Sequence, residues 1–306
     1  MILAGIDIGT NTLRLLIAEI SGSTLRILHS ARTITRLGEM LDRTGLLSEA
    51  ARQRSLQALN AFARDIWSLH PAAVCAVGTS ALRDAGNAQE FVDEVREKSG
   101  LDVRVISGQE EARLTLLGVS RSLTVKPAVV IDIGGGSTEI VIVSRSIEIS
   151  LPLGAVYLTD RFIKRDPPLP DDLRHLRQEI RAILESGRLV PAGPGELIGT
   201  AGTITTLAAI NQALVTYDPD RITGHILSRE AVQKMVFRLS RTPLAERSVI
   251  PGLEPGREDI ILAGAIVAEE SMMYFGYERM IVSDWGLREG ILFDLYDRIV
   301  NRTENE

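Results

Sequence analysis

The sequence predicts an α/β protein built from two related domains, and three observations carry that prediction. First, short apolar runs rich in Ile, Leu and Val alternate with longer segments of helical period along the whole chain. Second, that order of elements is written twice, each time opening with three successive strand-like runs. Third, sliding the sequence by 125 residues lays Asp7 on Asp132, Ile8 on Ile133, Gly9 on Gly134, Thr12 on Ser137 and Ile17 on Ile142. At 306 residues the chain is long enough for two domains of ordinary size.

The first block predicts strands over 2–8, 13–20 and 24–31, then a helix over 48–67 with Ser48 as its N-cap. A strand at 73–78, a helix at 87–98, a strand at 103–107 and a helix at 109–120 follow. The pattern restarts at "PAVVIDIG", with strands at 128–133, 138–144 and 146–151. Helices at 153–164 and 170–186, a strand at 196–199 and a helix at 203–212 come next. Asp171 or Asp172 is placed to cap the second of those helices, after the proline-rich "KRDPPLPDD". A strand at 280–283 and a helix at 287–300 close the chain. Charge and proline interrupt the pattern around 121–127, which sets domains of 1–122 and 123–289; the helix within 290–306 is free to return to the first.

Composition narrows the function classes. The chain is 45% hydrophobic and 24% charged, as soluble globular proteins are, and 4% aromatic, so its core rests on aliphatic residues. The apolar run 260–268 is too short to span a bilayer, which argues against a membrane partner. "MILAGIDIGT" lacks a basic leader, and a cytoplasmic location is the expectation. The single cysteine, Cys75, excludes an internal disulfide and reads as a small apolar residue in a strand. Four scattered histidines show no zinc spacing. A net charge of −6 argues against a nucleic-acid partner and requires local arginines to hold any anionic substrate.

The two related turns carry the chemistry. "DIGGGST" exposes backbone N–H groups at Gly134, Gly135 and Gly136, which suits phosphate, and Ser137 and Thr138 add hydroxyl donors. Asp132 before it and Glu139 after it are carboxylates beside a phosphate nest, an arrangement that holds Mg²⁺ or another divalent cation on phosphate oxygens. "DIGTNT" supplies Asp7, Thr10, Asn11 and Thr12, with Arg14 at the place of Glu139. Two such domains facing each other would set an acidic wall and a phosphate-pairing wall on one cleft. An ordinary hairpin is the plainer reading of each turn, but hairpins need no carboxylate at a buried strand end.

"GIDIGTNTLRLLIAEI", "AVGTSALRDAGNAQEF", "SGQEEARLTLLGV", "VIDIGGGSTEIVI", "SLPLGAVYLTDRF", "IGTAGTITTLA" and "VSDWGLREGIL" occur in that order. Together they closely resemble the exopolyphosphatase/guanosine pentaphosphate phosphohydrolase (Ppx/GppA) family, over about residues 4–293. The resemblance implies actin-like (ribonuclease H-like) domains with an interdomain cleft, and Mg²⁺-dependent release of terminal phosphate from inorganic polyphosphate or from the 5′ end of pppGpp. It implies Glu111 as catalytic base, Asp132 and Glu139 as metal ligands, and Arg83 as a phosphate contact; Asp7 is a further metal candidate that either helps position metal or water or only braces its turn. Read from the residues alone, Glu110 and Glu111 equally complement a helix N-terminus, and Arg83 equally pairs with Asp84 or a helix acid. Arg14 and Arg36 are weaker phosphate candidates.

In nucleotide-using relatives the turn at Gly199–Thr203 approaches adenosine; close strand–helix packing explains its glycines as well, and Ala201 stands where glycine is common. "SDWGLREG", with Asp284 and Trp285 at a strand end, reads as architectural, closing the second domain. The chain stops at residue 306, as expected for the short two-domain form, without the added helical domains of longer members. A non-catalytic sensor of ppGpp or pppGpp and an actin-fold kinase are the competing functions; the former would lack a base or metal carboxylate, the latter would need an acceptor pocket. A homodimer is a further expectation.

Overall fold

The computed structural model describes residues 1–125, 127–189 and 195–303. Lys126, in the stretch expected to join the domains, and residues 304–306 lie outside the described residues. The chain divides into two compact units, Met1–Arg121 with Gly286–Glu306, and Ser122–Trp285. Each is built on one mixed sheet, so the α/β class is observed.

In the first unit the strands are β1 (Ile2–Ile8), β2 (Thr12–Ser21), β3 (Thr24–Ile34), β4 (Ala73–Gly78) and β5 (Val103–Val105), in the order β3-β2-β1-β4-β5. β1, β2 and β3 form an antiparallel meander, and β4 and β5 join parallel to β1. In the second unit the strands are β6 (Ala128–Ile133), β7 (Thr138–Ile142), β8 (Ile147–Leu151), β9 (Glu196–Thr200), β10 (Ile226–Ser228) and β11 (Arg279–Val282). Their order is β10-β11-β9-β6-β7-β8, again an antiparallel meander with β9 and β11 parallel to its first strand. The repeat seen as a 125-residue offset is therefore a repeat of topology.

β1 and β6 are central, which explains their near-continuous apolar composition: β6 is buried at every position. Aliphatic side chains fill both cores. Ile6, Ile8, Leu13 and Leu15 pack with Leu59 and Phe62 in the first unit. Ile131, Ile133 and Ile140 pack with Leu158, Ile180 and Ile266 in the second.

Helix starts follow local chemistry. Ser48 Oγ accepts the Ala51 N–H at 3.2 Å, opening helix Glu49–Leu69. For helix Pro170–Ser186 it is Asp172, not Asp171, that reaches back, accepting the Leu169 N–H at 3.1 Å. Among the elements of the second unit that went unpredicted are β10 and the helices Arg229–Leu239 and Ile261–Phe275. The last is buried on nearly every side, so it shows no apolar stripe for a periodicity argument to find. No helix among the described residues is long and apolar enough to cross a membrane.

The C-terminal helix Leu287–Thr303 packs in the first unit against β1 and β2. Its contact with helix Gly108–Ser122 is backbone on backbone. A Cβ on Gly118 would lie 1.9 Å from the Gly286 carbonyl oxygen, and one on Gly290 would lie 1.8 Å from that of Leu114. No rotamer change relieves a clash with backbone, so the two helices would have to separate. Gly290→Ala is expected to cost at least about 1–3 kcal/mol, read as a lower urea midpoint with unchanged m-value.

Candidate active site

Both turns are closed by the same bond. Gly9 N–H donates to the Thr12 carbonyl at 3.2 Å, and Gly134 N–H donates to the Ser137 carbonyl at 3.0 Å. That bond brings Asp7 directly opposite Arg14 on β1 and β2, and Asp132 directly opposite Glu139 on β6 and β7. Opposed residues of an antiparallel pair point to one face and lie close, so each turn presents a pair of charged side chains by construction.

In the second unit the pair is acidic on both sides and buried, Asp132 at 8% and Glu139 at 1% exposure. Ser150 stands opposite Glu139 on β8, and Glu139 Oε1 accepts hydrogen bonds from Ser150 Oγ at 2.6 Å and Ser137 Oγ at 2.7 Å. Like charges directly opposed across strands repel, and a divalent cation between them turns that repulsion into attraction. No cluster of three or more metal-ligating side chains occurs among the described residues. Two carboxylates beside a glycine loop with unspent N–H groups suit Mg²⁺, an ion that keeps several waters and takes its remaining ligands from a bound phosphate. The donor set fits that ion and does not fit a protein-caged one.

The glycine loop next to this pair is pinned by its carbonyls. Gly134 O accepts the Ala155 N–H at 3.0 Å and Gly135 O accepts the Val156 N–H at 2.8 Å, from the first turn of helix Ala155–Phe162. Gly154 sits so close that a Cβ would meet the Gly135 oxygen at 2.2 Å. The N–H groups of Gly135 and Gly136 find no acceptor among the described residues, and both glycines are half-buried rather than sealed. Two adjacent unspent donors are what a phosphate oxygen requires.

One expected phosphate contact is corrected. Thr138 is fully buried, and its hydroxyl donates to the Leu153 carbonyl at 2.7 Å, tying β7 to the loop after β8. It braces the site instead of lining it. Ser137 likewise directs its hydroxyl at Glu139, so it orients the carboxylate here.

In the first unit Asp7 pairs with Arg14 at 3.5 Å. Burial raises the Asp7 carboxyl above its ordinary 3.8, against the pull of Arg14 and Arg288. Arg288 is a residue that sequence reasoning missed. It clamps Glu289 Oε1 through Nε at 2.9 Å and Nη2 at 2.6 Å, while Glu289 Oε2 accepts the Gly286 N–H at 2.9 Å. The only signal was the charge pair inside "GLREG", which read as part of the second domain's closing segment. Thr10, Asn11 and Thr12 are buried, and their loop is strapped to the next one: Asn11 O accepts from Thr35 and Arg36, Thr10 O from Gly38. Asn11 Oδ1 is buried with no hydrogen-bond partner among the described residues, so this turn too has an unspent polar atom.

Glu111 lies in the first turn of helix Gly108–Ser122 and is buried. Arg83, from helix Ser80–Asp84, donates Nη1 to Glu111 Oε2 at 2.5 Å and to the Ile106 carbonyl at 3.2 Å. The helix acid foreseen as a partner for Arg83 is thus the candidate base itself. Asp84 accepts from Ser80 at 3.1 Å instead. A carboxylate fixed by a charge-assisted bond and a backbone-anchored guanidinium is held in one orientation.

At Gly199–Thr203 packing accounts for the glycines. A Cβ on Gly199 would meet the Met280 sulfur at 2.3 Å, and one on Gly202 the buried Arg257 guanidinium at 2.2 Å. Ala201 adopts a left-handed φ of 67°, a strain of about 1–2 kcal/mol for a residue with a Cβ. Trp285 offers its carbonyl to Thr200 Oγ1 at 3.0 Å, an architectural contact.

Residues 16–299 match the sequence profile of the Ppx/GppA phosphatase family. The chain belongs to that family. It is 34% identical to Exopolyphosphatase 2 of Mycobacterium tuberculosis over 95% of this chain and 98% of that one. It is 31% identical to Exopolyphosphatase 1 of Mycobacterium bovis, over 97% and 89% of the two chains. Among solved structures, the Aquifex aeolicus member of the Ppx/GppA family superposes with a TM-score of 0.82 at 36% identity, covering 97% of this chain and 98% of that one. As in these Ppx/GppA relatives, the fold runs through essentially the whole chain.

Asp7 supplies a pH test. Because its folded-state pKa is raised, its stabilising contribution is complete below 3.8 and is lost as pH rises through the folded value. Asp7→Asn should therefore melt higher than the wild type at neutral pH, with the gap closing as the solution is acidified toward pH 4. Thermal melts of both proteins across that range measure it.

Proposed function

We propose that the chain is an exopolyphosphatase, a Mg²⁺-dependent hydrolase that removes the terminal phosphoryl group of inorganic polyphosphate. The observation that carries this reading is the buried, directly opposed Asp132–Glu139 pair beside the unspent N–H groups of Gly135 and Gly136. A site with two negative charges and two oxyanion donors side by side favours a phosphate that arrives with its own cation.

Asp132 and Glu139 would hold the Mg²⁺, which when bound neutralises charge on phosphate oxygens. The Gly135 and Gly136 N–H groups orient the terminal phosphoryl, and Ser137 and Ser150 hold Glu139 in place. Glu111, oriented by Arg83, accepts a proton from the attacking water. The water oxygen bonds to the terminal phosphorus as the bridging P–O bond breaks. Its electron pair leaves with the shortened chain, and orthophosphate is released. The 5′ end of pppGpp presents the same bond and falls within this reading, as do a cytoplasmic location and a homodimer. The presence of Glu111, Asp132 and Glu139 in ordered, buried positions disfavours a purely sensing role.

The test is a phosphate-release panel of polyphosphates of several lengths, pppGpp and ATP, each with and without Mg²⁺. Activity should vanish with EDTA and return with Mg²⁺. Glu111→Gln should lose about 10²–10⁴-fold in kcat, the usual worth of a positioned base, while still binding polyphosphate. Full activity in that variant would remove Glu111 from the role.

A further inference from the structure

The helix that starts beside the acidic pair of the second unit ends at a pocket. Thr200, which stands next to Asp132 in the register of β9 and β6, is the N-cap residue of helix Ala201–Asn211. Its 11 residues, at 1.5 Å each, put the far end about 16 Å away. There Ile210 and Asn211 meet helix Arg229–Leu239 and Ile250 around a cavity of about 350 Å³, at the small end of ligand-sized pockets. Its walls are pinned. Gly252 has a φ of 87° and lies so close to the first helix that a Cβ would meet the Ala209 carbonyl oxygen at 2.3 Å. Buried Arg247 donates to the carbonyls of Leu239 and Thr242, both at 3.0 Å, which ties the segment before Ile250 to the end of helix Arg229–Leu239. A pocket held this way is formed before any ligand arrives.

The lining is amphipathic. Met235, Leu239 and Ile250 give it a buried apolar floor, and the unbranched Met235 side chain adapts to what it touches. Glu230, Lys234 and Arg238 bring charge to its edge. Lys234 and Glu230 offset each other at 2.7 Å. Arg238 is exposed, and its guanidinium has no hydrogen-bond or ion-pair partner among the described residues. The arginines near it are engaged: Arg229 pairs with Glu278, and Arg241 lies 4.1 Å over the Phe237 ring. One spare guanidinium beside an apolar floor matches a ligand with a single negative charge on a hydrocarbon body.

We propose that this pocket binds a small amphipathic carboxylate, with its headgroup in the fork of Arg238 and its hydrocarbon on Met235, Leu239 and Ile250. Guanidinium and carboxylate pair through two parallel hydrogen bonds. Glu230 opposes the second charge that a phosphate monoester would carry, which favours the carboxylate. The site is separate from the Asp132–Glu139 pair and stands whether or not the chain is a hydrolase.

Octanoate is the probe. Calorimetric titration should give one saturable site per chain, and the methyl resonance of Met235, assigned by its loss in Met235→Leu, should shift with it. Hexanoate, two methylenes shorter, should bind about tenfold more weakly, and so should uncharged octanol. Arg238→Gln should lose about tenfold in octanoate affinity and leave octanol binding unchanged. Ala231→Leu, at a half-buried position of the lining, should fill the pocket and abolish binding of both while the protein keeps its melting temperature. Arg241→Gln removes an equal charge from an exposed arginine outside the lining and should change nothing. No saturable binding, no shift at Met235, octanol bound as tightly as octanoate, octyl phosphate bound more tightly, or full octanoate affinity in Arg238→Gln would each overturn the proposal.

Discussion

One short backbone bond governs the chemistry of each unit. When Gly9 or Gly134 gives its N–H to the carbonyl three residues on, the register of the following strand is decided. A slip of one residue would turn every side chain of β2 or β7 to the other face. Asp132 would lose Glu139, Asp7 would lose Arg14, and apolar residues would be driven from the core into water. The apolar faces of these central strands enforce the register, and the charged pairs inherit it.

The two copies use the same geometry for opposite electrostatics. In the second unit the register sets acid against acid, with hydroxyls from Ser137 and Ser150 steadying the deeper carboxylate. In the first it sets an acid against an arginine, with a second arginine opposite the first. One hairpin geometry used twice thus yields an acid–acid pair in one unit and an acid–arginine pair in the other. The cost is visible in Asp7, whose burial works against its own ionisation.

Close backbone approaches hold these surfaces in place. Gly154 lets the first turn of helix Ala155–Phe162 grip the glycine loop by its carbonyls. Gly118 and Gly290 let two helices touch, which sets Arg288 and Glu289 at the edge of the first sheet. In each case the missing side chain matters for the distance it permits rather than for backbone freedom.

Periodicity and composition were enough, without coordinates, for the alternation of strands and helices, the doubled meander, Ser48 as a cap and the correspondence of Asp7 with Asp132. These depend on local spacing, and local spacing is what a sequence records. The helix Ile261–Phe275 escaped because a segment buried all round has no stripe to betray it. Thr138 was misread because a hydroxyl next to a glycine loop looks the same whether it faces phosphate or Leu153, and only packing separates the two. The pairing of Arg83 with Glu111 spans 28 residues, and Arg288 reaches Ser30 across 258. Such partners are chosen by the fold, because the energy of a buried or half-buried charge depends on what is brought beside it in space and not on what precedes it in the chain.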